Sequence, residues 1–282
     1  MRFSKDEAER YLAIAASAAR LGGRTLLELW GKLTDIREKS LAGDLVTEAD
    51  HKSEECILLY LQEQCPDHSI LSEETGLHEV AGSEFVWVVD PLDGTTNYTH
   101  QIPYTAVSIG LLYQGIPVAG IVYNPFLGEE FKAGFGLGTT LNGKIIRVSG
   151  TASLSKSVLA TGFAYDRREN PDNNYAEFCY LTAHTQGVRR MGSAALDLAY
   201  VAAGRFDGFW ERGLKIWDIA AGVILVREAG GVITSYENRD PILDSGRILA
   251  SNGIIHDEMS RVLLSVPQEI EPILFKTQIP KE

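Results

Sequence analysis

Apolar residues recur at helical spacing over residues 5–30, where Ala8, Tyr11, Leu12, Ala15, Ala19, Leu26 and Leu27 share a face and Gly22–Gly23 weaken the middle. A second helix is predicted from near Thr47 through Ile57, Leu58 and Leu61 until Pro66 stops it. Ser69–Leu71 and Phe85–Val89 read as short buried strands. From Tyr104 to Ile146 the pattern is β-rich, with Val107, Ile109, Leu111, Val118, Ile121 and Val122 broken by turn signals at Gln114-Gly115, Asn124-Pro125 and Asn142-Gly143. The second half alternates. Strands are predicted at Ser157–Ala160, Asp207–Trp210, Val232–Thr234 and Ile248–Ala250, and helices at Asn174–Thr185, Ser193–Ala203, Ile216–Glu228 and Asp257–Leu264. This order implies an α+β fold of layered helices and mixed sheets. A boundary is expected near Gly150–Ser155, dividing an N-terminal α+β part (1–150) from a C-terminal α/β part (151–282) within one compact unit. The tail from Pro267 carries Ile273–Phe275, able to pack on the domain or on a partner.

Composition narrows the class. The chain has 282 residues, 45% of them hydrophobic, enough for one large or two medium domains with a real core. With 26 Lys+Arg against 38 Asp+Glu the net charge is −12, which argues against nucleic acid as the main ligand. A phosphate ligand stays open, because bound cations can reverse the local field. Cys56, Cys65 and Cys179 stand at unrelated spacings that fit neither a disulfide framework nor a zinc site. The N-terminus lacks a signal peptide's apolar region, and no run approaches the roughly 20 apolar residues of a membrane span. The expectation is a cytoplasmic protein with no membrane partner.

Four acidic clusters adjoin apolar elements: Asp44-Leu-Val-Thr-Glu-Ala-Asp50, Ser72-Glu-Glu74, Asp90-Pro-Leu-Asp-Gly-Thr-Thr96 and Trp217-Asp-Ile-Ala-Ala-Gly222. The third follows Val-Trp-Val-Val, so its turn leaves a buried strand. Pro91 fixes φ, Gly94 permits geometries other residues avoid, and Asp90 and Asp93 can converge with the Leu92 carbonyl between them. Carboxylates and a carbonyl without thiolate or imidazole suit Mg²⁺. Thr95 adds a hydroxyl, and the N–H groups around Gly94–Thr96 could hold a phosphate if a helix begins there. Blander readings exist for each piece. An Asp-Gly turn is common, and paired glutamates such as Glu73-Glu74 are usually a solvated loop. Asp44 and Asp50 stand where they could cap the next helix, and Asp218 where it could answer a helix dipole.

Taken together, these clusters resemble the inositol monophosphatase family, as do Gly43-Asp-Leu-Val-Thr-Glu-Ala-Asp50 and Gly192-Ser-Ala-Ala-Leu-Asp-Leu-Ala, over about residues 5–265. The resemblance implies an αβαβα sandwich, a homodimer, and hydrolysis of phosphate monoesters with two or three Mg²⁺ ions and lithium as inhibitor. It implies Glu73, Asp90, the Leu92 carbonyl, Asp93 and Asp218 as metal ligands. Thr95 and Asp50 would polarise the attacking water, with Glu73 assisting. Gly94, Thr95, Gly192, Ser193, Ala194, Glu211 and Asp218 would bind substrate, with Glu211, expected just after its strand, accepting the hydroxyls of a phosphorylated polyol. The six histidines fall outside these motifs; only His51 and His100 flank them. Arg189, Arg190, Arg212 and Lys215 could be surface charges, dimer contacts or an anchor for a second phosphate. The alternatives are therefore a fructose-1,6-bisphosphatase, a histidinol-phosphatase or a 3′,5′-bisphosphate nucleotidase. A non-catalytic interaction protein on this fold would be expected to have lost a metal position, and none is lost.

Overall fold

The structure is a computed structural model describing residues 3–39, 41–240, 243 and 246–266. The tail from Pro267, with Ile273–Phe275, lies outside the described residues. Helix α1 (Lys5–Leu29) begins with a reciprocal cap, Ser4 accepting from the Glu7 N–H while Glu7 takes the Ser4 N–H. A hairpin of β1 (Ile36–Glu38) and β2 (Leu45–Thr47) leads into α2 (Glu48–Gln64). Strands β3 (Ser69–Ser72), β4 (Gly76–His78) and β5 (Phe85–Asp93) follow, then the short helix α3 (Thr95–Thr99). A meander comprises β6 (Ala106–Tyr113), β7 (Ile116–Asn124), β8 (Glu129–Gly134), β9 (Gly138–Leu141) and β10 (Lys144–Ile146). The remainder is β11 (Val158–Thr161), α4 (Tyr175–His184), β12 (Gly187–Arg189), α5 (Ala194–Ala202), β13 (Gly208–Arg212), α6 (Ile216–Glu228), β14 (Val232–Thr234), β15 (Arg247–Ser251) and α7 (His256–Ser265).

Eight strands form one sheet in the order β10-β9-β8-β7-β6-β5-β3-β4, antiparallel throughout except where β3 runs parallel to β5. Five form the other in the order β12-β11-β13-β15-β14, with β11 parallel to both its neighbours. Helices α1 and α2 cover the outer face of the large sheet, α5 and α6 lie between the sheets, and α4 and α7 contact the far side of the small one. The result is an αβαβα sandwich, as the resemblance implied. The middle layer is almost wholly apolar, because α5 and α6 meet sheets on both sides: Leu196, Leu198, Val201, Ile219, Val223 and Leu225 are all buried. No helix among the described residues is long and apolar enough to cross a membrane.

Helix α1 runs unbroken through Gly22 and Gly23, whose propensity cost is set against close packing. A methyl group at Gly22 would stand 2.7 Å from Ile57 Cδ1 and Ser53 Oγ, and one at Gly23 would stand 2.6 Å from the Tyr123 ring. The bare backbone lets α1 touch α2 and β7 directly. Ser53 Oγ in turn donates to the Pro91 carbonyl at 2.9 Å, joining this helix pair to the acidic turn. The cap of α2 also differs from expectation. Thr47 is the N-cap, and Asp50, three residues on, accepts from the Thr47 N–H at 2.8 Å and its hydroxyl at 2.6 Å. Asp44 lies too far upstream to cap and instead closes the hairpin, its carbonyl accepting from the Lys39 N–H.

Candidate active site

A cleft of about 650 Å³ opens where the ends of β3, β5 and β13 meet the starts of α5 and α6. Its walls include Glu73, Asp90, Leu92, Asp93, Gly94, Thr95, Gly192, Ser193, Ala194, Glu211 and Asp218, so sequence positions far apart converge. Asp50 lies just behind, almost fully buried. Strand β5 continues through the acidic turn, and a register shift between Asp90 and Asp93 re-aims these side chains at its end. Gly94 makes the next bend possible. Its φ is +93°, and an added Cβ would press on the Gly192 and Tyr104 carbonyls, both at 3.1 Å.

Glu73, Asp90, Asp93 and Asp218 each keep one oxygen on a protein donor. Glu73 Oε1 accepts from Lys39 Nζ at 2.7 Å, Asp90 Oδ1 from the Leu92 N–H at 3.0 Å, and Asp218 Oδ2 from the Lys215 N–H at 2.6 Å. Asp93 Oδ2 accepts from Ser193 Oγ at 2.6 Å and the Ala195 N–H at 2.7 Å. The first turn of α5 is thus directed at Asp93, and Ser193 reaches a carboxylate rather than an open part of the cleft. Burial pushes Glu73 up to about 7 and Asp93 up to about 6, against the lowering effect of Lys39 on the first and of Ser193 on the second. Burial, reinforced by the neighbouring acids, lifts Asp90 and Asp218 well above the usual carboxylate range.

Among the described residues, no three His, Cys, Asp or Glu side chains close around a point as they stand. Protein donors hold them apart, Lys39 most directly, since its ammonium also bonds Glu74 Oε1 at 2.7 Å. The donor set nonetheless fits a hard cation: four carboxylates and a carbonyl, mutually repelling and poorly solvated.

Beside them, Thr95 Oγ1 lies 3.0 Å from Asp50 Oδ1 and 3.2 Å from the Leu92 carbonyl. Asp50 therefore caps a helix with one oxygen and accepts from Thr95 with the other. Burial raises Asp50 to about 6. At the other end of the cleft, Glu211 lies within β13 rather than after it, and burial with the nearby Asp197 raises it to about 8.

Arg190, Arg212 and Lys215 line the cleft, whereas Arg189 is exposed at the edge strand β12. Arg212 is committed to Asp166, at 2.5 Å. His51 and His100 are exposed and outside the lining. Lys39, Asn97, Tyr165 and Asp197 were not anticipated. Asn97 donates to the Tyr104 and Met191 carbonyls at 2.8 Å, tying the turn after β5 to the loop before α5, and the Tyr104 hydroxyl donates to buried Asp197 at 2.8 Å. The one signal for Asp197 was its place in the Gly192-Ser-Ala-Ala-Leu-Asp string.

A profile described as the inositol monophosphatase family matches residues 7–269. The chain is 55% identical to the inositol-1-monophosphatase of Synechocystis, covering 94% of this chain and 93% of the relative. It is 44% identical to the Nus factor SuhB of Pseudomonas aeruginosa, covering 86% and 91%. Among solved structures, the inositol monophosphatase of Anabaena (Nostoc) superimposes with a TM-score of 0.85 at 52% identity, covering 92% of this chain and 97% of that one.

Proposed function

This chain belongs to the inositol monophosphatase family and is a phosphatase of the inositol-phosphate type, and we propose that it hydrolyses inositol 1-phosphate to myo-inositol and phosphate using Mg²⁺. The observation that carries the reading is the convergence of Glu73, Asp90, Asp93 and Asp218 on one cleft beside the Asp50–Thr95 hydrogen bond. Glu73, Asp90, Asp93, Asp218 and the Leu92 carbonyl would hold the ions. When bound, Mg²⁺ neutralises the phosphoryl oxygens and acidifies a water.

The rest is work for the chain's own groups. Thr95 Oγ1 donates its hydrogen bond to Asp50 Oδ1 and accepts one from the attacking water with its lone pairs. As the water attacks, its proton passes to Thr95 while the Thr95 proton passes to the Asp50 carboxylate. Asp50 cannot rotate away, because its other oxygen is fixed by Thr47. Glu73 assists as a proton acceptor from the same side of the cleft. The Gly94–Thr95 turn is the wall we assign to the phosphate, Asp218 stands beside the leaving group, and Glu211 accepts vicinal hydroxyls of the ring. Gly192, Ser193 and Ala194 complete the wall, with Ser193 also fixing Asp93. Lithium inhibition, assembly as a homodimer, a cytoplasmic location and a division near residue 150 within one compact unit belong to the same proposal and rest on the resemblance.

Pairing of Arg212 with Asp166 weighs against a bisphosphate substrate, since it removes one candidate anchor for a second phosphate. The name of the 44%-identical relative supports an additional interaction role on this fold. The deciding assay is Mg²⁺-dependent phosphate release from inositol 1-phosphate, fructose 1,6-bisphosphate, adenosine 3′,5′-bisphosphate and histidinol phosphate, each with and without lithium. Preference for inositol 1-phosphate is expected. Preference for a bisphosphate moves the specificity to Arg190 and Lys215, and no release from any overturns the assignment.

A further inference from the structure

Among the described residues, no hydrogen bond reaches the carboxylate of Glu211, although the side chain is nearly buried in the cleft wall. Packing must fix its direction, and the packing partner is specific. Strands β11 and β13 run parallel with Thr161 opposite Trp210, so the next residue, Gly162, lies against Glu211. A methyl group built on Gly162 would overlap the Glu211 carboxyl carbon and both its oxygens. The carboxylate therefore rests directly over the bare Cα of Gly162.

The backbone beneath it cannot yield easily. Asn174, itself 2% exposed, donates to the Gly162 carbonyl at 2.7 Å and to Thr161 Oγ1 at 2.8 Å, and accepts from Trp210 Nε1 at 2.6 Å. Thr161 Oγ1 closes the ring by donating to the Trp210 carbonyl at 2.6 Å. Gly162 also lies outside the positive-φ region, so a left-handed backbone is not what calls for glycine here. A side chain here meets the far end of a flexible glutamate, while the backbone that carries it is held by Asn174.

We infer that Gly162 is a specificity-determining position: its missing side chain forms the seat that aims the Glu211 carboxylate at the substrate's hydroxyls. The inference rests on the assignment of Glu211 to polyol recognition and adds a residue that never touches substrate. It acts by position alone. Substituting Gly162→Ala evicts the carboxylate from outside the glutamate itself.

The test is Gly162→Ala, Glu211→Ala and the double variant in the Mg²⁺-loaded enzyme, assayed with inositol 1-phosphate and with p-nitrophenyl phosphate, which has no hydroxyls to recognise. Gly162→Ala is expected to lower kcat/KM for inositol 1-phosphate by about 10–100-fold, the size of one or two lost hydrogen bonds to a charged acceptor. The p-nitrophenyl phosphate rate, the Mg²⁺ midpoint and the melting temperature should stay near wild type. The double variant should be no worse than Glu211→Ala alone, because both changes remove the same contact. A crystal structure of Gly162→Ala reads the seat without any activity, and a carboxylate left in place there overturns it. A displaced carboxylate with unchanged selectivity in both single variants instead overturns the role of Glu211. Additive losses in the double variant mean that Gly162 acts by another route and overturn the inference.

Discussion

Lys39 Nζ lies 2.7 Å from Glu73 Oε1, which places an internal ammonium against one of the acids assigned to metal binding. Although burial opposes it, Glu73 and Glu74 hold the Lys39 pKa above its ordinary value. Replacing Lys39 by Gln should destabilise the metal-free protein by about 1–2 kcal/mol, between the values for exposed and buried pairs. The same change should tighten Mg²⁺ binding, since Glu73 no longer has to exchange partners. Calorimetric titration checks both, and weaker Mg²⁺ binding would show that Lys39 supports the site instead.

Asp93→Asn keeps an oxygen for Ser193 and Ala195 to bond but removes the charge. Turnover should fall by about 10²–10³-fold or more, the scale of losing one electrostatic contact in a buried site. Metal-free stability should hold or rise, because one repelling charge is gone. Near-normal turnover would sink the metal assignment.

Thr95→Ala and Asp50→Asn should each slow turnover by about 10²–10⁴-fold, and the double variant should be little worse than either. They separate on stability. Asp50 also closes the cap of α2, so its replacement should cost about 1 kcal/mol that the Thr95 change does not. Fully additive rate losses in the double variant would mean the two do not share a proton.

Glu73 near 7, Asp50 and Asp93 near 6 and Glu211 near 8 all lie above an unfolded carboxylate, at about 4. The folded state therefore binds more protons than the unfolded state across that window, and stability falls as pH rises from about 4 to about 8. Glu48, held near 2 by hydrogen bonds from Thr34 and Lys52, acts only below that window, and the two histidines that burial lowers, His68 and His256, oppose the more numerous raised acids only in part. The melting temperature in EDTA should drop between pH 5 and pH 8, and Mg²⁺ should restore more of it at pH 8. A metal-free melting temperature that climbs through this range contradicts the buried-acid cluster.

Gly22→Ala gains about 1 kcal/mol of helix propensity but presses on Ile57 and Ser53, and overpacking of that kind costs about 1–3 kcal/mol. Net destabilisation is expected in a denaturant titration. Because Ser53 holds the Pro91 carbonyl, turnover should fall as well, and a stable, fully active variant would break the proposed link between α1 and the acidic turn.

What the sequence disclosed depended on how local the information was. Asp90 through Thr96 is one contiguous string, and its position after a buried run was readable before any fold was known. The long elements α1, α2 and α6 were readable too, α1 and α2 from helical periodicity and α6 from an unbroken run of small and apolar residues after Trp217-Asp218. Three-residue strands such as β1, β4 and β12 carry too little pattern to register. Gly22–Gly23 looked like weakness because their purpose lies on α2 and β7, outside their own helix. Lys39, Asn97 and Asp197 were missed for a related reason: each acts on a partner distant in sequence. Asp44 was assigned to a cap that Thr47 provides, three residues nearer the helix.

Parallel pairing of β3 with β5 has a consequence for how the acids tolerate one another. It sends Glu73 and Asp90 out of the sheet side by side, where a hairpin would have sent them to opposite edges. The ladder runs right up to them, since the Glu73 N–H donates to the Val89 carbonyl at 3.1 Å. Like charges placed on loops would relax by drifting apart. Here they cannot separate without unzipping Ser69–Ser72 from Val86–Val89, so main-chain hydrogen bonds in the sheet restrain the repulsion. A cation entering the cleft would relieve the sheet as well as the side chains, and backbone amide exchange along β3 should slow when it does.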